Sequence, residues 1–197
     1  QAWGDMIAAV AQAADHNPAM PLCLEYQPHD MQSKPLLSNV GKMLYLCQRV
    51  ARPNIGANLD IGHAFAAGES PAEAATLLHG AGKLFYIHTN DNPGDGGDWD
   101  LLSGSMHWWQ WLELLYTLDR LGYDGWLGAD IAAHQLDAVT AFSANIMMLE
   151  RLLALAERLD RETVEGLLAR EGNAAAVFDY LTGTLLGAPR PPAERGT

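Results

Sequence analysis

The chain contains few cysteines and no long apolar run, and both absences narrow the classes of protein to which it can belong. Its 2 cysteines, Cys23 and Cys47, lie in apolar segments without CxxC spacing. We therefore interpret both as reduced core residues, and not as a disulfide or a zinc site. No uninterrupted apolar run approaches a membrane span, and the N-terminal segment lacks the basic start of a secretory signal. We expect a cytoplasmic protein with no membrane contact.

Basic residues are also scarce. The chain has 12 Lys and Arg residues against 24 Asp and Glu residues, which gives a formal net charge of −12. Such a surface repels polyanions, so we expect no nucleic-acid partner. Apolar residues make up 49% of the chain, which is enough for a sizeable core.

Helical and strand-like patterns alternate along the chain. Apolar residues at helical spacing, with proline and glycine breaks, predict helices at 3–16, 36–51, 71–79, 107–121 and 138–159. Short apolar runs between them predict strands at 21–26, 55–60, 84–89 and 126–131. Two further short helices are predicted between 162 and 187, followed by a frayed tail. Strands separated by helices pair in parallel through right-handed crossovers.

This alternation predicts half of a TIM barrel. A closed (β/α)8 barrel has eight β/α units in about 250 residues, whereas four can be counted here. We expect the α/β C-terminal half of such a barrel over 1–159 and a helical C-terminal extension over 160–197. Because the chain opens with Gln1 and not with Met, we expect the other strands upstream in a longer parent or in a second chain. An open four-stranded sheet is less favourable, since it exposes a strand edge and an apolar face.

Each predicted strand ends in a polar residue that can bind a metal. These residues are Glu25, Asp60, His88 and Asp130. Taken singly, such a carboxylate is as often a helix cap, and a lone histidine is more often a satisfied core residue. Taken together, they indicate a metal site at the barrel mouth, where the carboxyl ends of the strands converge.

A second set of metal-competent residues lies close by in the sequence. His63 follows Asp60 by three residues, and Asp98 and Asp100 lie in a long loop rich in Gly and Asp after His88. Mixed carboxylate and imidazole donors without a thiolate suit Mg²⁺, Mn²⁺ or Co²⁺ better than a structural zinc. Loops of this length and composition usually bind something.

The segments LEYQP, LDIGH, HTND with the later DWD, and GYDGWLGAD resemble the xylose isomerase-like superfamily of sugar isomerases and epimerases. The resemblance runs from about residue 3 to 159, the second half of that family's barrel. It implies a sugar substrate, a homo-oligomer and up to two divalent ions per site, with Mn²⁺ or Mg²⁺ first and Co²⁺ third. One ion would be held by Glu25, Asp60, His88 and Asp130. The other would be held by Asp60, His63, Asp98 and Asp100.

The activity that the resemblance implies is an aldose–ketose isomerisation. In it, Lewis-acid catalysis moves a hydride between C1 and C2, with Gln27, His63, Asp98 and Asp100 as the catalytic candidates. Gln27 stands where these isomerases usually carry the lysine of Glu-x-Lys-Pro. Asp130 stands where ketose epimerases of the family carry glutamate, which favours an isomerase.

Three alternatives stay open: a ketose 3-epimerase, a non-catalytic carbohydrate-binding relative, and a metal-dependent abasic-site endonuclease. The endonuclease would need a basic face, which the net charge of −12 argues against. We expect residues 1–197 alone to be inactive, because half of the sugar-contacting loops would be missing.

Overall fold

Four parallel strands separated by helices form the sheet that organises this protein. A computed structural model describes residues 1–29, 34–95, 97–133, 136–170 and 173–187. The strands are β1 (Leu22–Glu25), β2 (Ile55–Asp60), β3 (Leu84–Thr89) and β4 (Leu127–Ala129). They lie side by side in chain order, with every neighbouring pair parallel. This is the strand order of half a TIM barrel.

Helices follow or precede each strand, as the periodicity predicts. They are α1 (Ala2–His16), α2 (Val40–Val50), α3 (Ile61–Ala66), α4 (Pro71–Gly80), α5 (Trp108–Leu121), α6 (Ala138–Ala156), α7 (Arg161–Leu168) and α8 (Ala174–Leu186). Of these, α3 has no counterpart among the helices predicted from the sequence.

Helix α2 begins at Val40 and not at residue 36, as the sequence had predicted. Asn39 is its N-cap, and its side chain accepts a hydrogen bond from the Lys42 amide at 2.9 Å. The local cap therefore decides where the helix begins.

The core lies between the sheet and the helices that cover its outer face. All six residues of β2 are buried. Met43 and Leu46 of α2 and Trp111 of α5 are also buried. Burial of this apolar surface is the main force that holds the sheet and its helices together.

The two cysteines differ, which corrects one prediction. Both are free, but only Cys47 is buried, and Cys23 is exposed. Cys23 lies two residues before Glu25 in β1, so both side chains point to the same face of the sheet. Among the described residues, that face near Cys23 is an open cavity lined by aromatic side chains such as Tyr86 and Trp126. Within residues 1–197 Cys23 is therefore exposed, unlike the core position expected from the sequence.

Chain contacts divide the protein into two compact units, Gln1–Leu152 and Leu153–Thr197. The division lies within α6, and the boundary at 159/160 stays a prediction. In the second unit α7 and α8 are the two short helices expected there, and the Asp160 amide donates to the Tyr180 hydroxyl at 2.8 Å. The expected tail lies, beyond Gly187, outside the described residues.

Helix α6 reaches the length and apolar content of a membrane-crossing helix. Among the described residues, one helix meets both criteria, and that helix is α6. The observation is weak evidence for a membrane, since the core helix of a soluble protein passes the same test. By length and composition, α6 is therefore an exception to the expectation from sequence that no segment approaches a membrane span.

Candidate metal centre

The carboxyl ends of the strands bring together the polar residues predicted to bind the first metal. One donor atom from each of the four residues lies within 4.8 Å of the others. The group consists of Glu25, Asp60, His88 and Asp130. Such a group is small enough to surround a single cation.

Strand register explains why these side chains meet. In the parallel pairing, Asp60 lies opposite His88, and Glu25 lies opposite Asn58. Asp130 follows β4 directly, and its amide donates to the carbonyl of Thr89 in β3. Each residue therefore reaches the same edge of the sheet because its strand ends there.

Asp60 has two roles at once. It ends β2 and is also the N-cap of α3, where its Oδ1 accepts a hydrogen bond from the His63 amide at 2.8 Å. Its Oδ2 lies 3.6 Å from Nδ1 of His88. The side chain is only 1% exposed, so an unpaired charge there would be costly. The capping role and a metal-binding role are thus compatible in one carboxylate.

His88 faces three carboxylates with one ring nitrogen. Its Nδ1 lies 2.9 Å from Oδ2 of Asp130 and 3.2 Å from Oε2 of Glu25. Within the described residues, none of these contacts has the geometry of a hydrogen bond. The closeness of the carboxylates, Asp60 first and then Glu25, raises the pKa of His88 to about 10. The imidazole therefore carries a proton at the place where a cation would satisfy the same charges.

The pKa values of two carboxylates in the group are shifted in opposite directions. Burial opposes ionisation of Glu25, but His63 and His88 outweigh burial and lower the pKa of Glu25 to about 2. Burial raises the pKa of Asp130, although the charge of His88 acts against this. The pocket thus holds concentrated negative charge that is balanced in part by imidazolium.

The second set of residues is only partly assembled. Nε2 of His63 lies 3.2 Å from Oδ1 of Asp98, and its Nδ1 lies 3.2 Å from Oε1 of Glu25. Asp100 instead accepts a hydrogen bond from the Asn90 amide at 3.3 Å. Measured in the same way as the first group, the described residues form no second closed group of donors. The second set therefore lies beside the first, but its donor atoms do not all lie close enough together to surround one cation.

Two members of the second set have perturbed pKa values. Burial acts to lower the pKa of His63, but Glu25, Asp60 and Asp98 outweigh it and raise the pKa to about 9. Burial, followed by the charges of nearby aspartates, raises the pKa of Asp100 to about 7. Asp100 also has a backbone φ of 43°, in the left-handed region that non-glycine residues rarely adopt. Strain of this kind often marks functional sites.

Gln27 lies beside the second set. Its Nε2 donates a hydrogen bond to Oδ2 of Asp98 at 2.8 Å, across 71 residues of chain. The other oxygen of Asp98 faces His63. The residue that stands in the family's lysine position thus contacts a candidate metal ligand.

Two asparagines that sequence reasoning missed support the donors. Asn58 is 5% exposed and donates its amide to Oε2 of Glu25. Asn90 is fully buried and donates to Oδ2 of Asp60 at 2.9 Å. Asn58 could have been predicted from its position, because it lies two residues before Asp60 on the same face of the strand.

The donor set fits a divalent cation. Three carboxylates and one imidazole suit the borderline and hard divalent ions, and no thiolate lies among them. The neighbouring amides of Asn58 and Asn90 are the kind of outer contacts that orient metal-binding carboxylates. The residues at this edge of the sheet could therefore hold a divalent cation.

The chain is similar to xylose isomerases. A xylose isomerase of Streptomyces lividans is 32% identical over 180 residues, which cover 88% of this chain and 42% of that protein. A xylose isomerase of Thermus thermophilus is 32% identical over 168 residues, which cover 81% of this chain and 43% of that protein. The chain thus spans less than half the length of these curated relatives.

Solved structures show the same fold. A xylose isomerase domain protein from Alicyclobacillus acidocaldarius superposes with a TM-score of 0.60 at 26% identity, covering 75% of this chain and 56% of that chain. The probable 3-DHS dehydratase AsbF from Bacillus anthracis superposes with a TM-score of 0.55 at 19% identity, covering 75% of this chain and 55% of that chain. The second likeness shows the fold alone.

The family itself is shown by the match of its sequence profile. The profile described as xylose isomerase-like TIM barrel matches residues 1–160. This match and the structural neighbours confirm the predicted fold class, a partial TIM barrel, and the resemblance read from the motifs. The chain belongs to the xylose isomerase-like TIM barrel family.

Proposed function

We propose that this chain carries the metal-binding half of a divalent-metal-dependent sugar isomerase that interconverts an aldose and a ketose. The observation that carries the proposal is the convergence of donor atoms from four successive strand ends to within 4.8 Å. The 32% identity to two xylose isomerases supports the substrate class. The metal is Mn²⁺ or Mg²⁺, with Co²⁺ as a third candidate, and up to two ions share the site.

The first ion would be held by Glu25, Asp60, His88 and Asp130, and the second by Asp60, His63, Asp98 and Asp100. When bound, a divalent ion supplies Lewis-acid polarisation of a sugar carbonyl. Asp60 belongs to both sets, and its two oxygens face different imidazoles, His63 and His88.

The second set carries perturbed charges before any ion is bound. In the metal-free protein, burial and nearby aspartates raise the pKa of Asp100 to about 7, so a divalent ion would compete with a proton for this carboxylate. His63 has a pKa of about 9 without a metal, so its imidazole would have to release a proton to bind an ion. These side chains lie next to Gln27, whose neutral amide positions Asp98 and can present hydrogen bonds to a sugar hydroxyl.

The contact of Gln27 also supports a second candidate function. Gln27 is tied to Asp98 of its own chain at 2.8 Å, and it lacks the positive charge of the family's lysine. A non-catalytic carbohydrate-binding relative would tolerate that exchange. Asp130, in the position where the family's epimerases carry glutamate, makes a ketose 3-epimerase the weaker reading.

The remaining strands of the barrel belong to this proposal. Because the chain covers 42% and 43% of the two xylose isomerases, we assign the other barrel half to a longer parent or to a second chain. A homo-oligomer, a cytoplasmic location and inactivity of residues 1–197 alone belong to the same proposal.

The proposal is tested by Asp60→Asn in the complete protein. Asparagine can still accept the His63 amide hydrogen bond that caps α3, so the helix is kept while the charge is lost. We expect Mn²⁺ binding and aldose turnover to be lost together. The matched control is Asp160→Asn, because Asp160 caps α7 through the Thr163 amide at the same spacing but belongs to neither proposed ligand set. Asp60→Asn with wild-type turnover and Mn²⁺ affinity would refute the proposal.

A further inference from the structure

We propose that Asn90 is a positioning residue that fixes the shared carboxylate of Asp60 and holds Asp100 in the second set, so that it couples the two candidate ion sites. This inference rests on the proposed function, because it concerns how that metal centre is ordered. It assigns a role to a neutral side chain that lies outside both donor sets.

The first observation is how the carboxylate of Asp60 is held. Oδ1 accepts from the His63 amide at 2.8 Å, and Oδ2 accepts from Nδ2 of Asn90 at 2.9 Å. Oδ1 is the oxygen nearer the His63 ring, and Oδ2 lies 3.6 Å from the His88 ring. Each oxygen therefore has one fixed donor and keeps lone-pair capacity toward one of the two sets.

The second observation is that Asn90 uses its whole amide. Nδ2 donates to Oδ2 of Asp60 at 2.9 Å and to Oδ1 of Asp100 at 3.3 Å. Its Oδ1 accepts from the Gly62 amide at 2.6 Å. The side chain is fully buried, so water does not compete for these bonds. One amide thereby links the donors of both sets to the first turn of α3.

The third observation is that Gly62 leaves room for this amide. A Cβ atom at Gly62 would lie 2.6 Å from Oδ1 and 3.1 Å from Cγ of Asn90. A side chain at position 62 would therefore push the amide away from the donors. Substitution of either Gly62 or Asn90 should therefore displace the amide from its contacts with Asp60 and Asp100.

A buried asparagine that served stability alone would behave differently. Loss of a purely structural hydrogen bond lowers the melting temperature and leaves metal binding unchanged. Loss of a positioning contact changes the binding of the ions themselves, and outer contacts of this kind are typically worth about 10- to 100-fold in metal affinity.

The experiment is a titration of the complete, metal-free protein with Mn²⁺ by calorimetry, and with Co²⁺ followed by its visible spectrum. The variants are Asn90→Ala, Asn90→Ser and Gly62→Ala, each checked for folding by circular dichroism. We expect all three to weaken the second ion by about 10- to 100-fold, to affect the first ion less, and to alter the Co²⁺ spectrum of the second site. If Asn90→Ala unfolds, Asn90→Ser and Gly62→Ala still decide the question.

The matched control is Asn145→Ala. Asn145 is also fully buried, and it accepts a hydrogen bond from the Ser103 amide at 2.8 Å, a contact that involves no member of either ligand set. We expect it to lower the melting temperature and to leave both binding constants unchanged.

The outcomes separate this inference from the function on which it rests. A wild-type protein that binds no divalent ion refutes the proposed function. A wild type that binds a single ion overturns the shared role of Asp60, and with it the coupling through Asn90. Two ions bound with unchanged constants and an unchanged Co²⁺ spectrum in the folded variants overturn the role of Asn90 alone.

Discussion

Binding of the first ion should release a proton from His88. In the metal-free protein, the surrounding carboxylates raise the pKa of His88 to about 10, so at pH 7 the ring is protonated by roughly 1000 to 1. A metal ligand must be the neutral imidazole, and removing that proton at pH 7 costs about 4 kcal/mol. This cost falls as the pH rises, so the apparent affinity should increase about tenfold per pH unit between pH 6 and pH 9.

The assay is calorimetric titration with Mn²⁺ at pH 7 in two buffers that differ in ionisation enthalpy. The difference in observed heat counts the protons released, and we expect about one for the first ion. Titrations at several pH values give the slope of affinity. An affinity that stays constant from pH 6 to pH 8, with no released proton, would show that His88 is neutral beforehand or does not bind the ion.

His107 offers a matched control for this measurement. Its Nδ1 lies 2.8 Å from a carboxylate oxygen of Asp91, and its side chain is 26% exposed, as is that of His88. It belongs to neither donor set. His107→Asn should therefore leave the proton count and the slope unchanged.

Three further predictions follow from the same contacts. His88→Ala removes a donor and should lower Mn²⁺ affinity at least about 100-fold in calorimetry, whereas His107→Ala should not. Gln27→Lys keeps a donor toward Asp98 and adds a charge-assisted contact worth about 1.5–3 kcal/mol. We therefore expect kcat/KM to change about ten- to hundredfold across a panel of aldoses, while Mn²⁺ affinity changes less. Unchanged kcat/KM across the panel would show that the side chain does not face the substrate. The metal-free protein should lose thermal stability as the pH rises from about 6.5 through the His88 pKa of about 10, because folding raises the pKa of His88. It should also lose stability as the pH falls below about 4.5 toward the Glu25 pKa of about 2, because folding lowers the pKa of Glu25. A melting temperature that climbs from pH 7 to pH 10 would contradict this sign.

The sheet could be predicted from the sequence because its strands are short apolar runs with clear breaks. The strands at 55–60 and 84–89 were predicted at the bounds of β2 and β3, and the other two predictions extend one or two residues beyond β1 and β4. Strand ends then placed Glu25, Asp60, His88 and Asp130 at one edge, since parallel strands share that edge.

Elements without a periodic pattern of their own were missed. Helix α3 has only 6 residues and follows β2 without a break, so IGHAFA has too little length to show helical spacing. Asn90 was missed because an amide acquires its role only through partners 30 and 28 residues away, Asp60 and Gly62. The contact between Gln27 and Asp98 spans 71 residues, and no local rule predicts it.

The direct joint between β2 and α3 has a consequence for how this protein can vary. Asp60 ends the strand and caps the helix, so the three-residue step to His63 is set by helix geometry and not by a loop. One inserted residue would turn the ring by about 100° around the helix axis, away from Asp98 and Glu25. The stretch that connects Asn90 to Asp98 has no such rigid joint, and a loop can change length with far less effect on where its ends lie. Insertions and deletions should therefore be excluded between residues 60 and 63 and better tolerated between Asn90 and Asp98.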